Sequence, residues 1–111
     1  MRVTELAERI GAEIIEAGHP NADITAAYTS DLLSDVIAHA PADSIWITIQ
    51  AHLNSIAAAT VAGAKAILIA HNRPVPEEMA AAARREGIAL LRSQEDQYTL
   101  SCRVGAALQA L

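Results

Sequence analysis

The chain has 111 residues, a formal net charge of −5, only three aromatic residues and a single cysteine, Cys102. This length supports one hydrophobic core, so we expect a single domain over residues 1–111. The negative charge and the scarcity of aromatic side chains argue against a nucleic-acid partner, and one cysteine provides neither an internal disulfide nor a zinc site.

The first part of the chain predicts a helix, two short β-prone segments and a second helix. Apolar residues recur at helical spacing over residues 3–10, while residues 12–16 and 23–28 have β-forming composition. The two β-prone segments either pair as a hairpin or border the main sheet. Ser30 is placed to cap the second helix, and Pro41 ends it.

The rest of the chain has the βαβαβ order of a parallel sheet. Aliphatic runs at residues 45–49, 66–70 and 88–91 recur at nearly constant spacing, with helix-prone segments at 54–62 and 76–86 between them. Parallel strands need helical crossover connections of this kind. We therefore expect an α/β fold, with a mainly parallel sheet flanked by helices in two or three layers.

Two segments resemble the DRTGG domain, a small regulatory domain found alone or fused to CBS-type and phosphotransacetylase proteins. They are residues 21–40, NADITAAYTSDLLSDVIAHA, and residues 44–58, SIWITIQAHLNSIAA, in which SDLLSDV and WITIQAHLN are the specific parts. With the order of the other elements, the resemblance covers the whole chain and extends to the N-terminal region of HPr kinase/phosphorylase. It implies a regulatory module. Residues 41–69 are also similar to the N-terminal domain of Mur ligases, which supports the same fold.

The chain departs from the family at the motif that gives the family its name. Residues 21–27 read NADITAA, which keeps Thr25 and has Ala26 and Ala27 where the family has two glycines. Alanine is strained at positive φ. Either these two positions adopt ordinary β geometry here, or the function that the glycine pair permits in relatives is weakened in this chain.

Polar residues follow the first predicted parallel strand, at Gln50, His52 and Asn54. Open α/β sheets bind ligands beyond the carboxyl ends of their strands, where helix N-termini offer free N–H groups. These three residues, with Arg73 after the second strand and Thr25 from the motif, are our candidates for binding a small metabolite or nucleotide-like ligand. The structural alternative is that Asn54 caps a helix, His52 lies in a loop, Gln50 ends the strand and Arg73 occupies a solvent-facing turn.

The SDLLSDV segment suggests a second function, the docking of a partner protein without any small ligand. Asp31 and Asp35 are one helical turn apart and so would share a face, with Leu32 beside them. Two carboxylates make a poor metal site, and the structural alternative is a helix start that favours negative charge. Asp31, Leu32 and Asp35 are the candidate partner-binding residues.

The sequence contains no constellation suited to catalysis. The P-loop pattern G-x-x-x-x-G-K-[ST] is absent, so the HPr kinase resemblance implies the accessory region of that enzyme and not its catalytic part. The histidines at 19, 39 and 71 lack metal-ligand spacing, and we expect them at the surface. Cys102 has apolar sequence neighbours and is expected to be a buried structural thiol. We expect no catalytic residue, metal or cofactor.

Location and assembly follow from the same composition. No apolar run is long enough to cross a bilayer, and polar residues interrupt any N-terminal signal peptide, which predicts a cytoplasmic protein without membrane contact. Nearly half of the hydrophobic residues are alanines, so the aliphatic core is small. A copy of the same chain would bury further apolar surface, and we expect a homodimer.

Overall fold

Five helices and five strands occupy residues 1–109, the part of the chain that the computed structural model describes. In chain order they are α1 (Val3–Ile10), β1 (Glu13–Glu16), β2 (Ala26–Thr29), α2 (Leu33–His39), β3 (Ser44–Thr48), α3 (Leu53–Ala62), β4 (Ala66–Ile69), α4 (Glu77–Glu86), β5 (Ala89–Arg92) and α5 (Gln97–Gln109). The three aliphatic runs form β3, β4 and β5, and each bound lies within one residue of its predicted position.

All five strands form one sheet, in the order β1-β5-β4-β3-β2. β2 to β5 run parallel, so the βαβαβ core is confirmed and β2 extends it by one more parallel strand. β1 pairs antiparallel with β5 at the other edge. The two N-terminal β segments therefore border the main sheet on opposite sides and do not form a hairpin.

Helices cover both faces of the sheet, which makes the fold three-layered. The crossover helices α2, α3 and α4 pack on one face against Trp46, Ile67 and Leu90. Helices α1 and α5 pack on the other face, against the alternate side chains of the same strands, which include Ile47 and Leu68. Side chains of successive strand residues point to opposite faces, so these mostly apolar strands supply both cores.

The link from β1 to β2 crosses the sheet beneath the amino ends of the parallel strands. It passes so close to β5 that a Cβ atom on Gly18 would lie 2.6 Å from the main-chain nitrogen of Ala89. Gly18 also has φ +72°, and the next residue, His19, donates its N–H to the carbonyl of Gly87 at 3.1 Å. Only glycine fits this close crossing without strain.

Two local predictions are wrong. Ser30 does not cap α2, because the helix begins at Leu33 and the Ser30 hydroxyl instead accepts the N–H of Leu32 at 3.2 Å, in the turn before it. Cys102 is exposed, because α5 buries the stripe that contains Leu100 and Val104 and Cys102 lies on another side of the helix. Apolar neighbours in sequence are not neighbours on a helix face.

None of the helices within residues 1–109 combines the length and apolar character that a membrane crossing requires.

Candidate functional site

The parallel register of β2 to β5 brings four loops to one edge of the sheet, which we call the carboxyl edge. These loops are residues 30–32, 49–52, 70–76 and 93–96, and each leads into the next helix. The N-termini of α2, α3, α4 and α5 therefore open at this edge. It is the position at which open α/β sheets bind ligands.

Gln50, His52 and Asn54 all lie at the carboxyl edge, but their side chains are not equally free to contact a ligand. Gln50 is half-buried, and its side-chain amide donates to the main-chain carbonyl of Asp31 at 2.8 Å. His52 and Asn54 are exposed. Asn54 does not cap α3, because the helix begins one residue earlier, at Leu53. His52 and Asn54 are thus accessible to a ligand, whereas the Gln50 side chain is held within the fold.

The N-terminus of α3 is the most favourable place for an anionic group among the helices at this edge. Within residues 1–109, α2 has Asp35 and α4 has Glu77 and Glu78 in their first turns. The carboxylate of Asp96 accepts the N–H of Thr99 at 2.7 Å at the start of α5. α3 has no acidic residue in its first turn and no side-chain cap. Its N–H groups and partial positive charge are therefore not neutralised by a carboxylate.

The other two candidate ligand residues lie at opposite edges of the sheet. Arg73 is exposed on the loop after β4, and its carbonyl accepts a long hydrogen bond from Nη1 of Arg92, at 3.5 Å. Thr25 precedes β2 and donates its N–H to the carbonyl of Asp43 at 3.0 Å, at the opposite edge of the sheet. It lines a separate cavity of about 430 Å³ there, together with Asp43 and Lys65. The structure does not bring Thr25 to the other four candidates.

Ala26 and Ala27, which replace the family glycines, adopt ordinary β geometry. They form the start of β2 and pair with Ser44 and Ile45 of β3. Neither has a positive φ. Of the two alternatives drawn from the sequence, ordinary β geometry is therefore the correct one. Alanine is accommodated at both positions without backbone strain.

The predicted shared face of Asp31 and Asp35 is wrong, because α2 begins after Asp31. One oxygen of the Asp31 carboxylate, Oδ1, accepts three hydrogen bonds: from the hydroxyl of Thr48 at 2.9 Å, from the N–H of Ile49 at 3.0 Å and from the side-chain amide of Gln97 at 3.0 Å. Asp31 thus ties the start of α2 to the end of β3 and to α5.

Asp35 lies on α2 and forms a separate cluster with Tyr28. The tyrosine hydroxyl donates to Oδ2 of Asp35 at 2.8 Å, and Nδ1 of His39 lies 3.1 Å from Oδ1. The bond from Tyr28, assisted by Ser30 and His39, lowers the pKa of Asp35, and the same bond raises the pKa of Tyr28. Leu32, between the two aspartates, is 63% exposed. Of the three candidate partner-binding residues, Leu32 is the most accessible.

A polar cavity of about 460 Å³ lies at the carboxyl edge beside the end of β5, between the loop after that strand, the turn from α1 into β1, and α5. α4 leaves β4 toward one face of the sheet, whereas α5 leaves β5 toward the other, so the two loops diverge here. The cavity therefore adjoins the point where successive helices change face, and α/β sheets bind ligands at such topological switch points. We call it the switch-point cavity; it is lined by Glu13, Asn72, Arg92, Ser93, Glu95 and Arg103.

Main-chain hydrogen bonds hold the two loops of the switch-point cavity together. His71 donates its N–H to the carbonyl of Glu95 at 2.9 Å, and Asn72 donates to the carbonyl of Ser93 at 2.7 Å. Both donors have positive φ, 60° for His71 and 50° for Asn72. This left-handed turn is uncommon for residues other than glycine, although asparagine and histidine adopt it more often than most.

The sequence interpretation missed this cavity. Polar residues also follow β5, and the rule that ligands bind beyond strand ends, taken to the end of this strand, points to Arg92 and Glu95. Arg103 and Glu13 could not be found in this way, because they reach the cavity only through the packing of α5 on α1 and of β1 on β5.

Within the described residues, no three His, Cys, Asp or Glu side chains converge in an arrangement suited to a metal ion. The histidines at 19, 39 and 71 are exposed, as predicted.

No family model matches the chain, and no curated protein sequence matches it. Among solved structures, it is similar to the CBS and DRTGG domains of the regulatory region of a pyrophosphatase from Clostridium perfringens, a crystal structure in complex with the activator diadenosine tetraphosphate. The TM-score is 0.70 at 11% sequence identity, over 92% of this chain. The chain spans 45% of the length of that protein chain. At this identity the shared feature is the fold, and the chain therefore has a DRTGG-like α/β fold, as the two resembling segments imply.

Proposed function

We propose that this chain is a non-catalytic regulatory module that binds a small metabolite or nucleotide-like ligand at the carboxyl edge. The observation that carries the proposal is the parallel register of four consecutive strands, which gathers four loops and four helix N-termini at one edge. The structurally similar pyrophosphatase region is regulatory and binds a nucleotide activator, which supports the same class of function.

His52, Asn54 and Arg73 are the proposed contacts for an anionic group of the ligand. The first two stand at the start of α3, where the free N–H groups favour a phosphate or a carboxylate. Arg73 adds a cation from the neighbouring loop. Gln50 acts as a positioning residue in this proposal, since its side chain holds the loop through the Asp31 carbonyl. Thr25 lies at the opposite edge and is left out of this site.

Exposed apolar side chains at the same edge would suit the less polar part of such a ligand. Leu32 precedes α2, Leu53 begins α3 and Tyr98 lies in the first turn of α5, where it is 79% exposed. An aromatic ring and two leucines are the kind of surface on which a nucleobase can pack.

A thermal-shift panel of nucleotides and phosphorylated metabolites tests the proposal. We expect at least one member to stabilise the wild-type protein. Asn54→Asp would place a carboxylate in the first turn of α3, which favours the helix but repels an anion, so the ligand-induced shift should fall while the ligand-free protein keeps its stability. Asn21→Asp at the opposite edge makes the same change of charge and should leave the shift unchanged. Absence of stabilisation by every member at millimolar concentration would contradict the proposal.

The exposure of Leu32 supports an alternative function, the docking of a partner protein by the start of α2. Leu53, on the adjacent helix α3, is 47% exposed and would extend the same apolar surface. In affinity capture, a stoichiometric partner that is lost with Leu32→Asp and kept with Val61→Asp would favour this alternative. Val61 is a matched control because it is also an exposed aliphatic residue, on α3 but far from its N-terminus.

We also propose that the protein is a cytoplasmic homodimer, on the strength of its small aliphatic core and its exposed apolar side chains. Size-exclusion chromatography with light scattering tests the assembly. A dimeric mass at tens of micromolar is expected, and a purely monomeric mass would contradict it.

A further inference from the structure

We infer that the switch-point cavity binds a small zwitterion that carries both a carboxylate and an ammonium group, of which free amino acids are the simplest class. The inference rests on the proposed function and names a ligand class and a place on the carboxyl edge. Three features of the cavity support it: its location, its balance of charge and the free bonding capacity of its charged groups.

The location favours a ligand because the loop after β5, the start of β1 and α5 enclose a space at the carboxyl edge that the chain does not fill. The cavity of about 460 Å³ is within the size range of small-molecule sites. Its wall is fixed by the main-chain bonds of His71 and Asn72 to the loop after β5. A pocket that is held open before the ligand arrives loses less entropy on binding than one that must be ordered.

Charges of both signs face this cavity in equal number. Arg92 pairs with Glu13 at 3.0 Å, across β5 and β1. Arg103 pairs with Glu95 at 3.7 Å, across α5 and the loop after β5. A ligand with one positive and one negative group can bind these four side chains so that its positive group meets a glutamate and its negative group meets an arginine. No ligand charge then lies beside a protein charge of the same sign.

Of the two arginines in the cavity, Arg103 has the greater capacity to donate hydrogen bonds to a ligand carboxylate. Its guanidinium makes two long contacts, 3.7 Å to Glu95 and 3.4 Å to the carbonyl of Ile10, which are weaker than a well-formed charge-assisted hydrogen bond. An arginine has five N–H donors in a planar fork that matches a carboxylate. A carboxylate on Arg103 would therefore form better bonds than those it replaces.

The two glutamates can receive the ammonium group. The contacts of Arg92 with Glu13 all involve Oε1, and the contact of Arg103 with Glu95 also involves Oε1. A carboxylate can accept about four hydrogen bonds on its two oxygens. Both side chains are about half exposed, so an ammonium donor can approach them from the cavity.

Nucleotides and inorganic phosphate suit the cavity less well. The two arginines would attract a phosphate, but it has no positive group for the two glutamates, which would repel it. None of the residues that line the cavity, all of them within residues 1–109, is aromatic, so a nucleobase would find no ring to stack on. The chemistry here thus differs from that at the start of α3.

Isothermal titration calorimetry of the full chain tests the inference, with the common amino acids, AMP and inorganic phosphate as separate probes. At least one amino acid should bind, and Arg103→Gln should weaken its binding by about tenfold or more. Arg85→Gln removes an exposed arginine from α4, outside the cavity, and should leave the affinity unchanged.

Glu95→Gln separates the two classes of ligand by the direction of its effect. Binding of a zwitterion should weaken, because the ammonium group loses its partner, whereas binding of phosphate should tighten, because a repelling charge is removed. If phosphate binds, binds more tightly to Glu95→Gln and no amino acid binds, the inference is overturned.

Changes in the backbone amide chemical shifts on adding a ligand can be measured on the wild-type protein. This measurement therefore does not require that any variant fold. An amino acid that binds here should perturb Asn72, Ser93 and Glu95. If only AMP binds, and its affinity falls with Asn54→Asp but not with Arg103→Gln, the proposed function stands and this inference is wrong. If no probe binds and the nucleotide panel is also silent, both are contradicted.

Discussion

The side-chain amide of Gln50 donates a 2.8 Å hydrogen bond to the main-chain carbonyl of Asp31. This bond joins the two segments that resemble the DRTGG domain, and the indole N–H of Trp46, which donates to the carbonyl of Ser30 at 2.7 Å, joins them again. The most specific parts of the resemblance are therefore in contact with each other. The residues that carry the resemblance therefore include residues whose hydrogen bonds hold the carboxyl edge together.

Substitution of Gln50 should affect stability, while substitution of Asn54 should not. Gln50→Ala removes a half-buried hydrogen bond and should lower the free energy of unfolding by about 1 kcal/mol. Asn54→Ala changes an exposed side chain and should have an effect within about 0.5 kcal/mol. Urea unfolding followed by circular dichroism measures both. Equal effects would mean that Gln50 does not hold the loop.

Removal of the Asp31 carboxylate should be more costly. Asp31→Ala leaves the hydroxyl of Thr48, the N–H of Ile49 and the amide of Gln97 without their acceptor, and should lower the free energy of unfolding by about 1–3 kcal/mol. Glu8→Ala, which removes an exposed carboxylate from α1, is the control and should have little effect. If the two variants unfold at the same urea concentration, Asp31 is not the structural link described here.

The Tyr28–Asp35 bond should make stability depend on pH in a defined direction. The bond lowers the pKa of Asp35 in the folded state, so its contribution is present above the ordinary carboxyl pKa and is lost as pH falls through the folded value. Tyr28→Phe removes the donor. The difference in unfolding free energy between wild type and this variant should therefore be largest near neutral pH and shrink in acid.

Urea unfolding over a series of pH values measures that difference. Tyr98→Phe is the matched control, because Tyr98 is mostly exposed and its hydroxyl makes no hydrogen bond within the described residues. A difference for Tyr28→Phe that stays constant into acid would show that the bond does not lower the pKa of Asp35.

The sequence predicts the sheet better than it predicts the ends of the helices. Aliphatic runs such as residues 66–70 are buried on both faces, and this composition leaves few alternatives to a central parallel strand. Helix starts depend on single hydrogen bonds, and residue type alone places Ser30 at a cap and offers Asn54 as an alternative cap. The structure assigns Ser30 to a turn and Asn54 to the first turn of α3.

The candidate site was predictable only in part, for a related reason. The rule that polar residues follow parallel strands identifies the carboxyl edge and places His52, Asn54 and Arg73 there. It cannot tell that the Gln50 side chain is already bonded within the fold, or that Thr25 lies at the other edge, because both depend on distant partners. Arg103 reaches the switch-point cavity from α5, far along the chain.

Restoring a family glycine should not improve the protein. Ala27 has ordinary strand geometry in β2, so Ala27→Gly gains no relief of strain and increases the freedom of the unfolded chain. We expect the free energy of unfolding to fall by about 0.5–1 kcal/mol, measured by urea unfolding. A gain in stability would mean that alanine is strained at this position.

The most direct test of a ligand site at the carboxyl edge is a map of backbone amide chemical shifts, recorded with whichever nucleotide, phosphorylated metabolite or amino acid stabilises the protein most. The perturbed amides should lie in residues 30–32, 49–54, 70–76 and 93–96. Perturbations centred instead on residues 19–25, Asp43 and Lys65, which surround the cavity at the opposite edge, would contradict it.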